Sequence, residues 1–136
     1  MSPWFGRRQL PEALVPVLEA FHLAVVPLEE GKDALVGVVP QARYPGRPFP
    51  EALEAFVLGM EATERLMPAW RAPAVEELWR ACDEGVRKAR GRADRLAEGV
   101  SGLSFEGLLE LVQELLDPLE PFERAEERFN DLRVPR

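Results

Sequence analysis

Thirteen of the 136 residues are proline, and where they stand limits what the chain can become. Proline lacks a backbone N–H and has a fixed φ, so it suits the first turn of a helix and disfavours the interior of a helix or sheet. Pro11, Pro50, Pro73 and Pro118 each stand where a stretch with helical periodicity begins. The sequence therefore reads as a series of helices, four of them opened by a proline.

After Pro11, the residues Leu14, Val17, Leu18, Phe21, Val25 and Leu28 recur at helical spacing and predict a first helix ending near Pro27 or Leu28. Residues 32–39 predict a short second helix carrying Leu35 and Val38 or Val39. The alternative is a hairpin pairing them with residues 23–28 across Gly31-Lys32, which Pro27 disfavours. The run PQARYPGRPFP at 40–50 predicts a proline-rich extended loop, because each proline also restricts the residue before it. A helix over 51–67 places Leu53, Phe56, Val57, Met60 and Met67 on one face. Ala52, Ala55, Leu58 and Ala62 leave little of its other side polar, as expected of a helix inside a bundle or at a subunit interface.

Residues 73–98 give the cleanest amphipathic pattern, with Val75, Leu78, Trp79, Cys82, Val86, Ala89, Ala93 and Leu96 in one stripe. Glu76 to Arg80, Asp83 to Arg87 and Glu84 to Lys88 place an acid four residues before a base, the favourable order. The basic run from Arg87 to Arg95 is thus expected to be a solvated, internally paired face. Ser104 can cap the next helix, which carries Phe105, Leu108, Leu109, Val112, Leu115 and Leu116. Asp117-Pro118-Leu119-Glu120 reads as a break followed by a fresh helix start, with Asp117 as the cap. No internal repeat, heptad coiled coil or low-complexity tract is read from the sequence. The expectation is an all-α, single-domain, up-and-down bundle of four to five helices over 1–136.

Composition narrows the chemistry. The chain has one His, one Cys, one Tyr, one Thr, one Asn and three Ser, so any oriented nucleophile would have to be built around His22 alone. A single Cys makes no intramolecular disulfide, and the N-terminal stretch has no small-residue cleavage site, so a cytoplasmic protein is expected. No segment reaches the length of an uncharged membrane span. The net charge of −7 and pI near 4.9 repel nucleic acid, whose binding needs a basic face. The preference for Arg over Lys, the absence of Ile and the scarcity of Asn and Gln match a G+C-rich genome and a thermostable protein.

Carboxylates remain as the candidate site residues. Glu106, Glu110, Glu114 and Asp117 recur at one-turn intervals opposite the apolar stripe of their helix, with no base four residues away to relieve the repulsion. Three readings stand open: an exposed acidic face, a contact with arginines such as Arg92, Arg95, Arg43 or Arg47, or a divalent metal site. Glu64 falls by phase within the apolar face of its helix, one turn after Glu61. It would need a partner such as His22 or an arginine of the 40–50 loop, or would sit at the rim with a single structural arginine. His22 lacks a Glu three residues before it, which excludes the di-iron bundle pattern. Cys82, between Leu78 and Val86, reads as an inert core residue.

Glu61-Ala-Thr-Glu64 and Glu114-Leu-Leu-Asp117 together resemble the paired acidic motifs with which all-α nucleotide pyrophosphohydrolases hold magnesium. In that family the second motif follows much sooner, whereas here a whole helix intervenes, so membership is not claimed. The resemblance supplies an alternative function, a Mg-dependent hydrolase using these carboxylates. The leading expectation is a structural or adaptor protein without a cofactor, acting through protein contacts as a homodimer or with another protein. The candidate contact residues are Trp4, Arg43, Tyr44, Arg47 and Leu58, since aromatics and arginines are enriched in interfaces and Leu58 stands off its helix's main stripe.

Overall fold

The structure, a computed structural model, describes residues 8–41, 48–97 and 104–135. Pro11 is followed by a 3-10 turn (Glu12–Leu14) that feeds helix α1, Val15–Gln41, a single element of 27 residues. Residues 23–39 are thus helical rather than a hairpin, but the break expected near Pro27 does not occur. A proline inside a helix leaves the carbonyl four residues earlier without its donor and distorts the turn. Here the second helix packs directly against the segment around Pro27. The Thr63 hydroxyl donates to the carbonyl of Ala24 at 2.8 Å, and the Pro27 carbonyl occupies the space over Gly59, where a Cβ would lie 2.5 Å from it.

That second helix, α2 (Phe49–Leu66), has Pro50 in its first turn and runs antiparallel to α1. The two helices approach closely because small residues face each other. A Cβ on Gly31 would stand 3.2 Å from the backbone of Phe56. Along α1 the buried positions Phe21, Ala24, Leu28, Gly31, Leu35 and Val38 alternate three and four apart, the spacing of a coiled-coil seam. The sequence reading found no heptad pattern because two of these positions are Ala and Gly. Of the 40–50 loop, Pro40 and Gln41 end α1, Phe49 and Pro50 begin α2, and 42–47 lie outside the described residues.

A 3-10 turn (Met67–Trp70) and another (Pro73–Val75) lead into α3, Glu76–Leu96. Its buried stripe is Trp79, Cys82, Gly85, Val86, Ala89 and Ala93, while Leu78 and Leu96 lie at the flanks. Helix α4, Phe105–Leu116, is capped as expected by Ser104, whose hydroxyl accepts from the Gly107 amide at 3.0 Å. The break at Asp117-Pro118 is present as a 3-10 turn (Asp117–Leu119) before α5, Pro121–Asp131. Asp117 does not cap it; its Oδ1 accepts from Gln113 Nε2 at 2.6 Å instead. The turn is pressed onto α3, since a Cβ on Gly85 would lie 2.0 Å from the Pro118 carbonyl oxygen. The only described strands are two residues each, β1 (Arg8–Gln9) and β2 (Val134–Pro135), paired antiparallel near the two ends of the chain.

The core at one end of the bundle is aromatic. Phe21 of α1 meets Trp70 edge-on at 4.8 Å and Phe129 of α5 at 5.2 Å, with Phe122 stacked 6.5 Å away. Trp79 Nε1 donates to the Met67 carbonyl at 2.7 Å, tying α3 to the end of α2. Among the described residues no buried side-chain polar atom lacks a partner, as expected of a well-packed interior. No described helix is long and apolar enough to cross a membrane.

Candidate functional site

The phase of α2 brings Glu64 to the edge of its apolar face, where it is only partly exposed, and α3 supplies the partner. Arg90 reaches across with Nε at 2.5 Å from Oε2 and Nη2 at 3.4 Å from Oε1, the two-pronged geometry that guanidinium favours. The hydrogen bond to Glu64 holds the Arg90 guanidinium above its ordinary pKa. Arg90 also bonds Asp94 one turn on, at 3.2 Å. The carboxylate is thus a cross-helix brace rather than a free group. The expected single structural arginine is thus Arg90; His22 turns instead to Glu126 of α5 at 3.2 Å, and the arginines of the 40–50 loop lie outside the described residues.

Along α4 the carboxylates separate into two groups. Glu106 and Glu110 are exposed, and neither they nor Glu114 makes an ion pair among the described residues. Glu114 and Asp117 line a hollow of about 570 Å³ opposite Arg92, Arg95 and Leu96 of α3. Arg92 therefore does face the stripe, but its Nη1 donates to the backbone carbonyl of Glu114 at 3.0 Å, not to the carboxylate. That carbonyl lies in the last turn of α4, where intrahelical donors run out. Leu115, beside it, is fully buried.

The two acidic pairs that resemble the pyrophosphohydrolase motifs are held by different arms of the fold. Glu64 is committed to Arg90, Asp117 to Gln113, and Glu114 faces the arginines of α3. Among the described residues no three His, Cys, Asp or Glu side chains converge as a metal site would require. Cys82 is buried, and desolvation pushes its thiol up to about 12, far from the thiolate a nucleophile needs.

The surface shows a different concentration of chemistry. Leu58 is 59% exposed, and it is one of several exposed apolar side chains on the paired helices α1 and α2. Where Pro27 lies against Gly59, the neighbouring turns on that side are Leu23 on α1 and Ala55, Ala62 and Leu66 on α2. Leu23 and Leu66 are 65% and 37% exposed, and Val26, one residue before Pro27, is 53% exposed. Sequence reasoning found Leu58 but not Leu23 or Val26, which lie off the apolar stripe read along the first helix.

Several pairings were invisible in the sequence. Arg71 grips Glu76 with Nη2 at 2.7 Å and Nε at 3.1 Å, and its guanidinium lies 4.3 Å from the Trp79 ring centroid. That hydrogen bond, more than the one from Arg80, lowers the Glu76 carboxyl below the usual range. The i, i+4 pairs Glu76–Arg80 and Asp83–Arg87 form as expected, whereas no Glu84–Lys88 pair forms among the described residues. Trp4, Arg43, Tyr44 and Arg47 lie outside the described residues. No protein-family model, curated protein or solved structure matches the chain.

Proposed function

We propose that this protein is a homodimeric helical interaction module of structural or adaptor type, joined through the outer face of the α1–α2 seam. The observation that carries the reading is the strip of Leu23, Val26, Leu58 and Leu66, all solvent-exposed on two helices that pack on one another. Single exposed leucines are ordinary, but several gathered on one helix pair supply the apolar surface that a contact uses. Pro27, Gly59, Ala55 and Ala62 keep the strip low, so another helix pair can approach closely.

A second copy is the partner that suits the strip. A two-fold contact sets the same patch against itself, and with its axis near Leu23 and Ala62 the apolar residues meet while Glu30 and Glu51 fall toward the margins. Further along α1 and α2 those two glutamates, both exposed, would repel a copy stacked in full overlap. The contact therefore centres on the Leu23 end. A lone, buried cysteine suits the reducing cytoplasm, and the reading needs no metal.

The test uses the single buried cysteine to advantage. Leu23→Cys places one reactive thiol on the strip, and Leu109→Cys places one on an exposed position of α4. Mild oxidation should convert Leu23→Cys to a disulfide-linked dimer at micromolar concentration and leave Leu109→Cys monomeric on a non-reducing gel. Equal cross-linking of the two variants would contradict the proposed face.

A further inference from the structure

The opposite flank of α1 carries a second, chemically distinct feature. Between α1 and α5 runs a groove of about 470 Å³ whose floor is formed by Val25, Phe21 and Phe122. Its rim is acidic: Glu29 from α1, and Glu123, Glu126 and Glu127 from α5. The acids of α5 collect on this side because of helix phase, whereas Arg124 bonds Glu120 at 3.0 Å and Arg128 lines a depression beside the start of α3. Two local side chains meet part of the rim. Lys32 lies 3.4 Å from Glu29, and His22 lies 3.2 Å from Glu126. Glu123 and Glu127, one turn apart, have no ion-pair partner among the described residues, and like charges at that spacing repel.

The combination selects for a particular occupant. A point cation finds no set of three converging ligands among the described residues, and a neutral apolar ligand would leave the rim unrelieved. We propose that this groove docks a short basic segment of a partner protein. One apolar side chain of that segment would lie over Val25 and the edges of Phe21 and Phe122. Flanking Lys or Arg side chains would pair with Glu123 and Glu127, the side chains that lack a cation of their own. Spread charge around an apolar centre is the pattern by which basic amphipathic segments are recognised. Because the groove and the seam strip lie on different flanks of α1, a dimer would hold two such grooves open.

The test is fluorescence anisotropy with a labelled, end-capped peptide, Arg-Lys-Leu-Lys-Arg, at low salt. Glu123→Gln with Glu127→Gln should weaken binding about tenfold, whereas Glu106→Gln with Glu110→Gln, an equal change of charge on α4, should change it less than about twofold. Replacing the central Leu of the peptide by Ser should weaken binding about fivefold. Circular dichroism checks helicity, and Glu127→Gln alone should give the same ranking if the double variant loses it. The proposal is overturned if the peptide shows no saturable binding up to millimolar concentration. Equal weakening by the two double variants, or equal affinity of the Leu and Ser peptides, would also overturn it by reducing the effect to general attraction of cations to an acidic protein.

Discussion

The two flanks of α1 are built from the same helix and present opposite kinds of surface. On one side Leu23 and Val26 continue the apolar surface of α2 through Leu58 and Leu66, over a seam where Pro27 meets Gly59. On the other, Val25 and Phe21 sink into a groove that α5 rims with glutamates. A helix buried on one stripe normally shows a polar outer face. The difference teaches that exposed apolar area and unrelieved charge are separate signals, the first behind the proposed contact between copies and the second behind the proposed docking of a basic segment. Each flank depends on a different part of the interior, which gives ways to disturb one while sparing the other.

The largest expected effect comes from the aromatic cluster beneath the groove. Trp70→Ala removes a fully buried ring that contacts Phe21 at 4.8 Å and should cost about 3–5 kcal/mol in denaturant unfolding. Gly59→Ala attacks the seam instead. Its new Cβ would meet the Pro27 carbonyl, and the loss should reach about 1–3 kcal/mol, as overpacking does. A Gly59→Ala protein as stable as the parent would mean that the close approach does not organise the seam.

How much of this was legible depended on how local the cause was. The stripe of α3, the Ser104 cap and the break at Asp117-Pro118 follow from short-range rules, and each is present. Pro27 was misread because its local preference gives way to packing against α2, where its carbonyl fits the gap left by Gly59. Glu64 was rightly singled out, but its partner Arg90 is 26 positions away, and Glu126 is 104 positions from His22. Nothing in local spacing connects such pairs. The acidic rim of the groove escaped notice for the same reason, since it takes form only when α5 lies beside α1.

Smaller effects sharpen the contrast between braced and unbraced carboxylates. Glu64→Gln removes the charge that Arg90 grips and should destabilise the fold by about 1 kcal/mol. Glu110→Gln relieves repulsion on an open face and should change stability by no more than a few tenths of a kcal/mol, in the stabilising direction. Finally, Glu76 titrates below its ordinary range because Arg71 bonds its ionised form. Its contribution is complete above the unfolded carboxyl value near 4.5 and is lost as pH falls through the lower folded value. Between pH 5 and 3 the melting temperature of the parent should therefore fall more steeply than that of Glu76→Gln.

The most direct test of the dimer is sedimentation equilibrium across the micromolar range, comparing the parent with Leu23→Glu combined with Leu58→Glu. Both positions are exposed within the subunit, so the paired change should leave the helical spectrum intact while moving the protein from dimer to monomer. A parent that sediments as a monomer throughout, or a double variant that remains as dimeric as the parent, would contradict the account.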